Sequence, residues 1–243
     1  MVLVWSLLFL ACSGTPASAP TVSPVPVMAA PVEIRVAGQE DLGGAMNQLR
    51  QVQRGVNREA GAVLVLAAGT YTRNLQIHMP DLPMDLTIRG EGEVWFEGAV
   101  ISISGRSLSV AGIGFRGQKS SGVFLSVDAV GEVTVTDVRV HGAQLGTKYT
   151  PYRPPVPAKP GGQRIQARGA KPRPSYLVQI KTRGEGAVFL KNLDFRDTRL
   201  IGHALVDVHS RPGREVVVEG LSVVDTPTEQ AVRVSVGSTL VTR

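Results

Sequence analysis

Basic and acidic residues suited to proton transfer recur between positions 126 and 235, in short segments of alternating polar and apolar residues. Lys181, His209 and Arg233 are of the types that can remove a proton from a substrate or stabilise the negative charge that results. The carboxylates of Asp128 and Asp207 are candidate calcium ligands. These residues form a candidate catalytic and metal-binding set. No other cofactor is evident, and calcium is the only candidate ion.

The alternation places these residues in two outward columns if successive segments stack as strands. The columns are Ser102, Ser126, Gln179, Asp207, Arg233 and Ser104, Asp128, Lys181, His209, Ser235. Neighbours in a column would then lie one strand apart, so Asp207 should meet Arg233, and Asp128, Lys181 and His209 should interact. The alternative is a solvated polar face whose mixed charges keep the sheet soluble.

A second polar line follows the next strand and contains Arg116, His141 and Arg196, with Asp197 and Asp225 beside Gly117 and Gly142. Three arginines of the nearby segment 143–175 extend this candidate ligand-binding set, namely Arg153, Arg164 and Arg168. Together they predict a cationic cleft for an anionic polysaccharide, with a neutral one as the alternative ligand. Surface salt bridges that contribute little to stability are the competing interpretation.

The formal net charge of +6 is the property of one segment. Residues 143–175 contain seven basic residues, no acidic residue and seven prolines, and the rest of the chain carries a charge of −1. Nucleic-acid binding would require an aromatic-studded basic face or a known motif, and neither is found. The segment is therefore predicted to be a mobile basic loop or arm.

Four segments share the pattern apolar-x-apolar-x-turn-apolar-x-apolar, at 108–115, 133–140, 188–195 and 216–223. The turn residues tolerate a left-handed backbone, as a sharp bend between two short strands requires, and they are Gly112, Asp137, Asn192 and Gly220. A further apolar pair precedes each segment, which gives three short strands per repeat.

The repeat lengths are those of one coil of stacked strands. The distance is 25 residues from Ile113 to Val138 and 28 from Leu193 to Leu221, whereas Val138 and Leu193 are 55 apart. Removing the 33 residues 143–175 reduces the last distance to 22, so that segment is an insertion within one coil. The sequence predicts an all-β fold, a right-handed parallel β-helix of about five coils. A β-sandwich is the alternative, but the Asn-Gly and Asp-Gly hairpin turns expected there are absent.

A helix is predicted over 40–58, where Leu42, Ala45, Met46 and Leu49 recur at helical spacing. The following Leu64-Val-Leu-Ala-Ala-Gly-Thr-Tyr71 and Leu75-Gln-Ile77 resemble the opening coil of pectin/pectate lyase-like β-helices. The resemblance implies that the short helix caps the N-terminal end of the stack. It also implies that substrate lies along the strand that precedes the two-strand repeat in each coil, which carries Lys181 in one coil and His209 in the next.

The first dozen residues resemble a bacterial lipoprotein signal peptide, because the short apolar run 2–11 ends in Phe9-Leu10-Ala11-Cys12. The resemblance implies lipidation of Cys12, export, and anchoring in the outer membrane, for which Ser13 is the expected sorting residue. The predicted division is a signal peptide at 1–12, a flexible tether at 13–32 and the β-helix domain at 33–243. A cleaved secretory signal ending near Ala19 is the alternative.

The leading hypothesis is an exported cell-envelope lipoprotein whose β-helix binds polysaccharide without evident catalysis. A pectate- or alginate-type polysaccharide lyase that uses calcium is the second hypothesis. The third is a structural protein-interaction module, since the strand predicted at 239–243 is uncapped and an open strand edge can pair with another chain.

Overall fold

The computed structural model describes residues 30–79, 83–119, 123–145, 176–200, 204–228 and 230–243. These residues form a parallel β-helix of about six turns with one α-helix near its N-terminal end. The elements in chain order are β1 (Val32–Val36), α1 (Leu42–Arg54), β2 (Ala62–Tyr71), β3 (Leu75–Ile77), β4 (Leu86–Glu97), β5 (Ile101–Gly105), β6 (Leu108–Lys119), β7 (Leu125–Ala129), β8 (Val133–Thr136), β9 (Arg139–Leu145), β10 (Val178–Thr182), β11 (Val188–Arg196), β12 (Arg199–Leu200), β13 (Ala204–His209), β14 (Glu215–Val224), β15 (Gln230–Val234) and β16 (Thr239–Thr242).

Two parallel sheets run along the axis of the β-helix. The larger sheet has the order β1-β2-β4-β6-β8-β11-β14-β16, with β9 paired to β6 and β11 and β12 paired to β9. The smaller sheet has the order β15-β13-β10-β7-β5-β3. Each coil passes once through both sheets. The predicted fold class is confirmed, with about six turns where about five were expected.

The four predicted bend residues are confirmed in the left-handed region. The φ angles are 68° at Gly112, 53° at Asp137, 52° at Asn192 and 65° at Gly220. A second set of residues with left-handed φ lies at or near the C-terminal ends of the strands of the larger sheet, at Gly98, Gly117, Gly142, Asp197 and Asp225. Both sets contain only residue types that adopt positive φ at low cost, so they define the corners of successive coils.

The interior is a stack of inward-facing aliphatic and aromatic side chains. The rings of Tyr71, Phe96, Phe115 and Phe124 form a ladder with centroid separations of 5.3, 5.8 and 5.9 Å. The three phenylalanines are fully buried, and Tyr71 donates its hydroxyl hydrogen to the Ala67 carbonyl at 2.9 Å. Stacking of like residues on neighbouring strands therefore builds one continuous core.

The N-terminal end of this core is covered by α1 and the strand that precedes it. Leu42, Ala45 and Leu49 of α1 are buried in the same core. The predicted helix at 40–58 is here divided into α1 and two flanking 3-10 turns, Gln39–Asp41 and Val56–Ala60. Strand β1 was not predicted, and it pairs with β2 from Val32 opposite Ala62 onward.

The basic segment interrupts one coil without adding another. Strand β9 ends at Leu145, and Val178 at the start of β10 pairs with Leu125 below and Val206 above. Residues 146–175 therefore join two strands of the same coil. They lie outside the described residues, as do Arg153, Arg164, Arg168 and residues 1–29 with Cys12.

Candidate functional site

Both predicted columns are present in register on the smaller sheet. Ser102, Ser126, Gln179, Asp207 and Arg233 follow one another across β5, β7, β10, β13 and β15. Ser104, Asp128, Lys181 and His209 form the second column on β5, β7, β10 and β13, whereas its predicted last member, Ser235, lies just past the end of β15. The backbone thus lines up the predicted residues, and their side-chain contacts determine which of them interact.

Asp207 is the centre of a cluster on this sheet. Its side chain is 1% exposed and accepts hydrogen bonds from Arg233 Nε at 2.8 Å and from His209 Nε2 at 2.7 Å. The Arg233 guanidinium lies over the Tyr176 ring and donates to its hydroxyl. Burial and the nearby Asp207 carboxylate raise the pKa of Tyr176, while the hydrogen bond to Asp207 raises the pKa of Arg233.

The expected contact between Asp207 and Arg233 is therefore present, and the buried carboxylate also orients the half-exposed His209 imidazole. An oriented histidine is the usual form of a protein general base. Tyr176 was not among the predicted residues, because it follows the basic segment and reaches the cluster only through the stacking of coils.

Asp128 differs from the expectation. It binds Arg183, which donates from Nε at 2.9 Å and also from Nη2, instead of Lys181. Arg183 was overlooked because it lies just past the end of β10, where its long side chain reaches back to β7. Asp128 on β7 therefore binds Arg183, and Asp207 on β13 binds Arg233. Strands β7 and β13 are not adjacent in the sheet. Among the described residues no group of three or more acidic, histidine or cysteine side chains could hold a metal ion.

The second predicted line lies on the outer face of the larger sheet. Arg116 on β6, His141 on β9 and Arg196 on β11 occupy equivalent positions in three successive coils. The parallel column two residues earlier contains Trp95, Gly114, Arg139, Asp194 and Ser222. We refer to Trp95, Arg116, Arg139, His141, Asp194 and Arg196 as the axial stripe, because they follow the axis over four coils.

Trp95 lies at one end of the axial stripe, and several other members of the stripe lie around its ring. Its ring covers Gly114, where an added Cβ would approach Trp95 Cε3 to 2.4 Å. The guanidinium carbons of Arg139 and Arg116 lie 4.9 and 5.5 Å from the ring centroid, and the His141 ring lies 5.4 Å away. A glycine opposite the tryptophan thus lets the indole lie flat along the sheet and contact three coils.

Most charges of the axial stripe are paired within it or at its edge. Arg116 donates to Glu97 at 3.0 and 3.2 Å, and Arg196 donates to Asp194 at about the same distance, 3.0 Å. Asp194 also binds His141 Nε2 at 3.0 Å. Although burial works to raise the pKa of Asp194, hydrogen bonds from Arg196, His141 and Ser222 hold that pKa below its usual value.

A shallow depression adjoins the axial stripe at the left-handed bends. It is lined by Gly92, Gly112, Asp137, Arg139, Asn192 and Asp194. Asn192 Nδ2 donates to Asp137 Oδ1 at 2.8 Å across neighbouring coils. The depression presents amide, carboxylate and guanidinium groups to solvent beside an aromatic ring, which are the groups that recognise polar ligands in proteins.

Trp95 and Arg139 were not predicted as site residues, although both occupy outward positions. Trp95 alternates with the inward Val94 and Phe96, and Arg139 precedes the inward Val140. The alternation alone could have indicated that both face outward. Their proximity depends on the small Gly114 between them, which the alternation does not single out.

The molecule is thus a parallel β-helix protein with an aromatic and charged stripe along one sheet. No family model matches the chain, and searches of curated proteins and of solved structures found no match. Within the described ranges, no helix has the length and apolar character needed to cross a membrane.

Proposed function

We propose that this protein binds polysaccharide along the axial stripe. The observation that carries the proposal is the continuous line from Trp95 to Arg196, in which an indole ring lies beside guanidinium, imidazole and carboxylate groups. Sugar rings present apolar C–H faces that pack on aromatic side chains, and hydroxyl groups that bond to charged ones. Strands repeat every 4.8 Å or so, and the stripe is roughly 14 Å long. A linear polymer fits such a surface better than a compact small molecule does.

The binding test compares retention of the full chain and two aromatic variants on pectate, alginate, glycosaminoglycans and neutral glucans. We expect Trp95→Ala to lose retention, because it removes the ring around which three of the charged side chains gather. Phe189→Ala is the matched control, since Phe189 is an exposed aromatic residue of the same sheet outside the axial stripe. Retention of Trp95→Ala equal to that of the control, with both variants folded by circular dichroism, would contradict the proposal.

The proposed setting is the bacterial cell envelope, with export and lipidation at Cys12. The apolar run that ends at Cys12 and the uncharged stretch that follows it support this assignment. We expect Cys12→Ser to move the protein from the membrane fraction to the soluble fraction. Continued membrane retention of the variant would exclude a lipid anchor at this residue.

A polysaccharide lyase of the pectin/pectate lyase-like superfamily is the second candidate, and the cluster at Asp207 favours it. His209, oriented by a buried carboxylate, has the geometry of a base, and Arg233 and Lys181 lie on the neighbouring strands. Calcium at Asp128 or Asp207 would have to displace the arginine that binds each carboxylate. Incubation with uronic acid polymers, with and without calcium, should produce unsaturated sugars that absorb ultraviolet light. No absorbance change with any polymer would remove the lyase hypothesis, and no retention of any glycan would favour an interaction module.

A further inference from the structure

The charge distribution of the axial stripe singles out Arg139. Arg116 is bound to Glu97 and Arg196 to Asp194, so both positive charges are already compensated. For Arg139, no carboxylate of the described residues lies within ion-pair distance. Its guanidinium carbon lies instead 4.9 Å from the centroid of the Trp95 ring. Asp194 is its partner in strand register, but the Asp194 carboxylate binds His141 and Arg196 instead.

Trp95 also restrains the direction of this guanidinium. A planar guanidinium that lies on an aromatic face keeps its N–H groups directed outward around its edge. Those N–H groups border the depression that Arg139 lines together with Asp137 and Asn192. The Asn192 amide is itself bound to Asp137, so this wall of the depression is held in place by a bond between coils.

We infer that Arg139 is the residue that makes the axial stripe select an anionic polysaccharide, by binding a carboxylate or sulfate group of the polymer. This inference rests on the proposed function and adds the ligand class and the residue that determines it. An arginine fork forms paired, charge-assisted hydrogen bonds with such groups, and the restraint imposed by Trp95 lowers the entropy lost on binding. A neutral polymer offers the guanidinium only hydroxyl and ether oxygens, which cannot form this paired, charge-assisted contact.

The test uses matched polymers with and without one anionic group. Pectate is compared with fully methyl-esterified pectin, and a sulfated galactan with its desulfated form, so that each pair has one anionic and one neutral member. Because Trp5 and Trp95 are the only tryptophans, the emission of the full chain in a Trp5→Phe background reports on Trp95 alone. We expect the charged form of at least one pair to bind about tenfold more tightly than its neutral form, and to change the Trp95 emission. The pair that shows the difference identifies the group as carboxylate or sulfate.

Arg139→Gln should reduce the affinity for the charged polymer to that for its neutral form. Arg211→Gln is the matched control, because it removes the same charge from an exposed turn outside the axial stripe. Arg139→Lys should restore only part of the affinity, since an ammonium group cannot form the planar paired contact.

Two results would overturn the inference while leaving the proposed function intact. One is equal binding of charged and neutral polymers by the unaltered protein. The other is charge selectivity that Arg139→Gln reduces no more than Arg211→Gln does. Absence of binding to every polymer would instead contradict the proposed function itself. Full recovery in Arg139→Lys would show that charge alone is recognised, and would overturn the role assigned to the Trp95 ring.

Discussion

At the scale of single residues, the left-handed bends determine whether one strand can turn into the next. Asp137 and Asn192 adopt positive φ without being glycine, and each has a short polar side chain that tolerates this backbone. Their side chains also bond to each other across coils. The bend residues therefore form both the corners and part of the lateral connections of the β-helix.

Replacing Asn192 by valine should lower the free energy of unfolding by about 2–3 kcal/mol. The left-handed conformation costs a β-branched residue roughly 1–2 kcal/mol that asparagine largely avoids, and the lost bond to Asp137 adds about 1 kcal/mol. Asn192→Gly should lose about 1 kcal/mol, because it retains the conformation and loses only the bond. Urea unfolding of both variants measures the difference, and equal stability of the two would contradict the role of the backbone angle.

At the scale of elements, Arg106 connects three successive corners of the β-helix near its N-terminal end. Its guanidinium binds Asp85 before β4 at 2.9 Å and Glu59 before β2 at 2.8 Å. The Asp85 carboxylate also accepts the Ser107 backbone hydrogen bond. The hydrogen bond from Arg106 is the main cause that lowers the pKa of Asp85, and it raises the pKa of Arg106 itself.

This connection predicts a loss of stability in acid. A carboxyl group whose folded-state pKa is below its unfolded value of about 3.9 stabilises the fold above that pH, and this contribution is lost as pH falls through the folded-state pKa. Because Asp85 is nearly half exposed, the contribution should be at most about 1 kcal/mol. Asp85→Asn should therefore lower the urea midpoint at pH 6 and make it less dependent on pH below about 4.

The matched control is the same substitution in an Arg106→Gln background. There the effect of Asp85→Asn on the urea midpoint should shrink at pH 6, because the partner that lowers the pKa of Asp85 is missing. An undiminished effect would assign the stabilisation to the Ser107 hydrogen bond alone.

At the scale of the whole molecule, the coils stack on one another without using the inserted segment. Val178 continues the smaller sheet directly above Leu125, and neither sheet needs residues 146–175 for its pairing. In the coil below, five residues, 120–124, connect β6 to β7. The basic segment is thus an addition to one connection of a regular fold.

Deleting residues 146–172 should leave the β-helix folded. The deletion retains five residues between Leu145 and Val178, which matches the connection below, and it keeps the buried Tyr176 and Leu177. Closing a shorter loop costs less entropy, so the free energy of unfolding should stay within about 1 kcal/mol of that of the full chain. Circular dichroism and urea unfolding measure this, and a molten or aggregated product would show that the segment contributes to the fold.

The same variant separates the two parts of the predicted binding surface. If the axial stripe suffices, polysaccharide retention should persist after the deletion. Its loss would place binding residues in the deleted segment, which contains the predicted Arg153, Arg164 and Arg168. A deletion of residues 33–38 would leave the basic segment intact but is not a suitable control. It would remove most of β1, which pairs with β2 in the larger sheet and contributes to the core.

The sequence by itself determined the coil, because both of its signals are local. Apolar residues at every second position mark the inward face of each strand, and residues that tolerate positive φ mark each corner. The column order on the smaller sheet followed from these signals, since parallel stacking in register leaves no freedom to shift a strand by one residue without reversing its faces.

Only the tertiary structure decided which side chains touch. Trp95 reaches Arg139 because Gly114 leaves room between them, and Asp128 binds Arg183 instead of Lys181 because the longer side chain reaches back across a strand. Tyr176 joins the Asp207 cluster through its contact with Arg233, which lies 57 residues further along the chain. Such contacts depend on side-chain length, direction and neighbouring volume, and strand periodicity carries no information about these.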